Sequence, residues 1–140
     1  MDGNALEYVP EDLKTEELCI KAVKQNSYWE SDVALKFVPK DLKTEELCFA
    51  AVRQKGISLK YVPDSLKTKE LCLEAIKQNC LALKYVPESM KTKEMWLTAL
   101  QDNVMVFKYI PDNLKTAEMC LAAIQEVCKA VEELKVENNN

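Results

Sequence analysis

The chain has 140 residues, of which 48% are hydrophobic and 30% charged, with only two glycines. That balance excludes a disordered chain, disfavours an all-β fold built on tight glycine turns, and suits one domain with a sizeable core. The net charge of -4 and a pI of about 5.0 argue against nucleic acid as the default partner, though a local basic stripe is compatible with them.

The first unit spans residues 4–27. Leu6-Glu7-Tyr8-Val9 precedes Pro10, and proline disfavours the α conformation in the residue ahead of it, so a short helix must stop there. Glu11 and Asp12 form a turn, and Leu13 plugs it into the core. Thr15 is a good N-cap for a longer helix, and Glu17 places a carboxylate at the positive end of the helix dipole, one position short of a capping box. The helix ends near Asn26. With Glu7, Glu11, Asp12, Glu16 and Glu17 against Lys14, Lys21 and Lys24, this unit reads as an acidic end cap. An insertion of about Tyr28 to Asp32 follows.

The second unit, residues 33–56, repeats the pattern with Pro39 and Thr44, and closes at Gly56. The third (57–80) and fourth (81–104) follow with Pro63, Thr68 and Asn79, then Pro87, Thr92 and Asn103. Glycine and asparagine at these stops predict a left-handed closing residue. In the third unit Leu71, Cys72, Ala75 and Ile76 fall on one face of a helix and break strand alternation. The fifth unit, 105–128, has Pro111 and Thr116 but Val127 where the stop belongs. The apolar pattern runs on through Cys128, Ala130, Val131 and Leu134, predicting one long terminal helix whose extension, 129–136, covers the last open face. Residues 137–140 read as a disordered tail.

Recurrence of nearly every position at about 24 residues is the sign of a stacked array. The expectation is an all-α fold: a short α-solenoid of five tandem repeats, each a short helix plus a longer one, within a single domain over 1–136. Each unit is too small to bury both its helices and draws the rest of its core from its neighbours. The text of Ala82 to Asn103, ALKYVPESMKTKEMWLTALQDN, resembles an uncharacterised tandem helical-repeat family of bacterial and protist proteins, a domain of unknown function. The resemblance covers about Asn4 to Cys128; it implies the all-α repeat fold and carries no activity or site residue.

Four features compete as functional sites. Cys19, Cys48, Cys72 and Cys120 share one helical position, occupied in the fourth unit by Trp96. Metal ligands for one ion come close in sequence, whereas these lie a repeat apart, about 10 Å at ordinary helix spacing. A disulfide is ruled out by the same distance. Buried free thiols in a reducing compartment are the expectation, with Cys80 and Cys128 at helix ends, more exposed and of low reactivity. Tyr8, Phe37, Tyr61, Tyr85 and Tyr109 read first as packing between repeats, with base-stacking platforms as the alternative.

Two lines of lysine recur. Lys14, Lys43, Lys67, Lys91 and Lys115 precede the capping threonines. Lys36, Lys60, Lys84 and Lys108 precede the aromatics. The lines read either as a solvated face or as a basic strip for a polyanion. Tyr28 and Trp29 form either an exposed anchor for a partner or a local patch. With no histidine, no glycine-rich phosphate loop and no Rossmann fingerprint, the chain is not expected to be an enzyme, nor to hold a metal or cofactor.

The functional expectation is therefore a protein-interaction or scaffolding module. Its candidate contact residues are Tyr28, Trp29, Lys36, Lys60, Lys84 and Lys108. The alternative is a binder of nucleic acid or another polyanion through the repeated lysines and tyrosines. No run approaches the ~20 apolar residues of a bilayer span, and Met1 to Pro10 lacks a basic, apolar leader, so the expected location is cytoplasmic.

Overall fold

The computed structural model describes residues 3–25 and 34–137. Every element among them is helical. Five α-helices form the spine: α1 (Glu16–Gln25), α2 (Glu45–Gln54), α3 (Lys69–Gln78), α4 (Lys93–Asp102) and α5 (Ala117–Glu137). Each packs on its neighbours in sequence, α1 on α2 through to α4 on α5, which makes the array a solenoid.

The short helix of each unit is a 3₁₀ helix, and it comes in two pieces. Gly56–Tyr61, Cys80–Tyr85 and Val104–Tyr109 precede the prolines, and single turns at Asp64–Leu66, Glu88–Met90 and Asp112–Leu114 follow them. Proline sets the division: Pro63, Pro87 and Pro111 are extended, with ψ near 140°, and lead into the second turn. The first 3₁₀ piece of a unit wedges between the α-helix of the preceding unit and its own, so every interior α-helix is covered by two units.

The caps on the α-helices are threonine hydroxyls. Thr15, Thr44, Thr68, Thr92 and Thr116 Oγ1 accept from the backbone N–H three residues on, at 3.2–3.4 Å. Helix closure differs from expectation. No described residue has positive φ. Asn79 and Asn103 are extended, and their side chains accept from Leu81 and Met105 N–H at 2.9 Å, so they cap the next 3₁₀ helix. Gly56 likewise opens a 3₁₀ helix. A Cβ there would sit 2.3 Å from the Ala75 carbonyl oxygen, so close approach to the end of α3 demands glycine.

The core is a continuous seam through the units. Val23, Val52, Ile76 and Leu100 occupy one repeated position and are all buried. Leu47, Leu71, Met95 and Met119 occupy another and are fully buried, while Leu18 in the first unit is half-buried and Leu13, expected to plug its turn into the core, is 60% exposed. At the far end the seam opens. Ile124, aligned with Ile76, is 59% exposed, and Leu121, Val127, Val131 and Leu134 are exposed beside it. α5 is one long helix as expected, but it continues straight past the fifth unit and leaves its own apolar face uncovered.

Candidate interaction surfaces

The lysines before the threonines are tied down, the first two of them across a repeat boundary. Lys14, 8% exposed, donates to Glu11 Oε1 at 2.7 Å and to the Phe37 carbonyl of the next unit at 2.9 Å. Lys43 donates to the Tyr61 carbonyl, again one unit on, at 2.9 Å. Lys67 and Lys115 pair with Asp64 and Asp112 at 2.8 Å, and Lys91 pairs with Glu88. The partner is thus an acid three residues earlier in the same unit. The Lys115 ammonium holds the Asp112 carboxyl below its ordinary range. In the second unit Lys40 stands where that acid belongs. Burial, with the Lys40 charge adding to it, lowers the pKa of Lys43. This line is therefore tucked in, with every member but Lys43 paired to an acid, and the other lysine line is the one that faces solvent.

Lys36, Lys60, Lys84 and Lys108 are exposed. Each ammonium lies over the ring of the next residue, 5.1 Å from Phe37, 5.4 Å from Tyr61, 5.0 Å from Tyr85 and 4.8 Å from Tyr109. Such pairs contribute about 0.5–1 kcal/mol at exposed sites. Among the described residues none of the four lysines is paired with a carboxylate. The interior aromatics Phe37, Tyr61 and Tyr85 are half-buried, in keeping with packing between repeats, whereas Tyr8 and Tyr109 at the two ends are exposed. Tyr28 and Trp29 lie outside the described residues.

A further surface has no counterpart among the expected sites. The residue after each cysteine-stripe position is apolar: Ile20, Phe49, Leu73, Leu97 and Leu121. The first four are half-buried, packed by one edge on the core, and Leu121 is exposed. They form a row across the outer faces of α1 to α5, because a repeated residue becomes a line in a solenoid. Shallow troughs lie along it, one of about 700 Å³ lined by Thr44, Glu45, Glu46, Phe49, Ala50 and Arg53. Another, of about 510 Å³, is lined by Leu97, Gln101, Glu118, Leu121, Ala122 and Gln125.

The row is edged by charge. Lys69 bridges to Glu94 at 2.9 Å, Lys93 pairs with Glu118, and Arg53 stands 4.0 Å from Glu74. The first two units carry Glu16 and Glu45 where the third and fourth carry Lys69 and Lys93, so the ladder starts only at α3 and the earlier helix starts remain acidic. The signal was present in the sequence as a third consecutive apolar position, Leu71-Cys72-Leu73, wider than one buried stripe requires.

The cysteines divide by place in the array. Cys19, Cys48 and Cys72 are fully buried, and burial pushes their thiols up. Cys120, expected in the core with them, is exposed, because no sixth unit covers it. Cys80, expected at an exposed helix end, is 5% exposed; it begins a 3₁₀ helix wedged between α3 and α4. Burial first, and then the Asp102 carboxylate beside it, raise its pKa to about 11. Cys128 is exposed as expected. Trp96 is buried at the cysteine position, and its Nε1–H has no acceptor.

No described helix is long and apolar enough to cross a membrane. No curated protein and no solved structure matches the chain. One family model does, in four overlapping segments at residues 1–43, 16–67, 44–91 and 68–115, in step with the helical units. The chain belongs to that tandem-repeat family, described as a domain of unknown function, DUF4116.

Proposed function

We propose that the protein is a non-catalytic interaction module that holds a partner protein along the row Ile20, Phe49, Leu73, Leu97 and Leu121. The observation that supports this reading is the row itself: one half-exposed apolar side chain per unit, repeated across five helices and edged by ion pairs. A contact of this kind suits an amphipathic helix or extended segment that meets the row with apolar side chains. The acidic helix starts at Glu16, Glu17, Glu45 and Glu46 favour basic residues at the rim of that partner. A reducing, cytoplasmic setting fits the same reading, since all six thiols are free.

The test is capture from source-cell lysate at low and high salt, with and without nuclease. The expected result is a protein retained through both treatments by the parent chain. It should be lost when Phe49 and Leu73 are both replaced by Asp, with helical content checked by circular dichroism. Retention by that variant at the parent level would rule the row out.

A second reading rests on Lys36, Lys60, Lys84 and Lys108, whose ammonium groups are exposed, free of carboxylates and stacked on aromatic rings. A polyanion held there would dissociate steeply with salt. Replacing Lys60, Lys84 and Lys108 by Gln should abolish binding of a single-stranded oligonucleotide while leaving protein capture on the apolar row intact.

A further inference from the structure

The open end of the solenoid is shaped for one kind of partner. Along α5 the exposed residues Cys120, Ile124, Val127, Val131 and Leu134 follow one another at intervals of four, three, four and three. That spacing is a heptad seam, the pattern that directs one helix to lie along another. Its first half continues an interface already present inside the molecule, because Cys120 and Ile124 hold the positions that Cys72 and Ile76 bury completely against the next unit. Its second half lies on the extension of α5, which no unit of this chain covers; Val131 is 45% exposed. Beside the seam an apolar groove of about 490 Å³ runs between α5 and the 3₁₀ helix Val104–Tyr109, lined among others by Met105, Phe107, Ile124 and Val127.

The flanking positions bear on what fits. Leu121, Ala123, Cys128 and Ala130 are uncharged, and the two alanines are small, so a second helix can come close; the charges beside the seam are Lys135 and, at the groove, Lys108. A seam with one half on the open unit and one half on a bare extension is complementary to itself when turned end for end.

We propose that the occupant is a second copy of this chain, in an antiparallel α5–α5 dimer. Val131 and Leu134 of each copy cover Val127 and Ile124 of the other, so each extension caps the open end of its partner. The two-fold axis crosses the pair at the level of residue 129, whose lysine is on the opposite face, and the two Cys128 side chains flank the axis. Closed two-fold pairs of this kind are the commonest symmetric assembly. Stacking the open end on the first unit of another copy would leave the extension bare and build an open chain of molecules.

The proposal does not depend on the apolar row, and the substitutions that test it lie off that row. Sedimentation and light scattering of the full chain at up to about 100 μM, above the micromolar Kd of a modest interface, should give a species of twice 16.0 kDa. Val127→Glu with Val131→Glu should return it to 16.0 kDa, raising the dissociation constant at least about a hundredfold, because each glutamate would be buried unpaired. Both positions are exposed in the single chain, so the helical signal should persist. In the parent chain a short bifunctional thiol reagent should join two copies through Cys128, and Cys128→Ser should prevent it. Three results would overturn the proposal: a parent chain monomeric throughout, a mass that keeps growing with concentration, or a dimer that survives both glutamates or cross-links equally without Cys128.

Discussion

The third and fifth repeats carry nearly the same residues and differ in what becomes of them. Ile76 is completely buried and Ile124 is 59% exposed; Cys72 lies in the core and Cys120 on the surface. The first repeat differs in the same sense at other positions. Its Leu18 is half-buried where Leu71 is fully buried, and Tyr8 is exposed where Tyr61 is half-covered. Burial in this molecule is therefore a property of the neighbour and not of the residue. The consequence is energetic as well as geometric, since hydrophobic stabilisation follows the area removed from water.

The largest effect should come from the repeated aliphatic position. Ile76→Ala should cost about 2–5 kcal/mol, the ordinary range for a cavity in a packed core. Ile124→Ala should stay within about 0.5 kcal/mol in the single chain, as a surface change does. Urea unfolding of both variants at low protein concentration measures the contrast, and equal losses would break it.

A smaller contrast is expected at the cysteines. Cys72→Ser puts a hydroxyl into an apolar seam and should cost about 1–3 kcal/mol, while Cys120→Ser should be close to neutral. Thermal melts of the two variants, run side by side, read the difference.

The smallest effect is in pH. Cys80 has its pKa raised from 9.0 to about 11, and Cys19, Cys48 and Cys72 are shifted upward too. In this range the folded chain holds protons that the unfolded chain gives up. The stability these thiols contribute is complete below about pH 9 and is lost as pH rises toward 11. The lowered pKa of Lys43 acts in the opposite direction, because deprotonation relieves a buried charge, and offsets part of the loss. Denaturant midpoints should therefore fall across that window. Cys80→Ala should flatten the fall.

Much of the fold was legible because the repeat writes each local signal several times. Proline before the turn, threonine at the cap and the apolar face of the long helix each recur at the same place, and each has a local physical cause. The features that escaped were set by distance in space. Asn79 does end α3, yet it is extended where its propensity reads as left-handed, and its side chain caps the 3₁₀ helix Cys80–Tyr85. Cys80 reads as a helix end, yet a wedge between two helices buries it. The line through Lys14 and Lys43 reads as a solvated face or a basic strip, yet carbonyls of the next unit take those ammonium groups in. The row from Ile20 to Leu121 was spelled out in the sequence beside the buried face, but its half-exposure is set by how the helices stack. Lys36, Lys60, Lys84 and Lys108 kept the exposure expected of them, because they stand on the outward side of the 3₁₀ helices.

The most direct test of the central claim, that the neighbouring repeat and not the residue decides what is buried, is native-state thiol labelling read residue by residue by mass spectrometry. It should be run at sub-micromolar protein, where contacts between copies are dilute. Cys120 and Cys128 should label in the native state, while Cys19, Cys48, Cys72 and Cys80 stay protected until the chain unfolds. Rapid labelling of Cys72, or protection of Cys120 equal to that of Cys72, would contradict the claim.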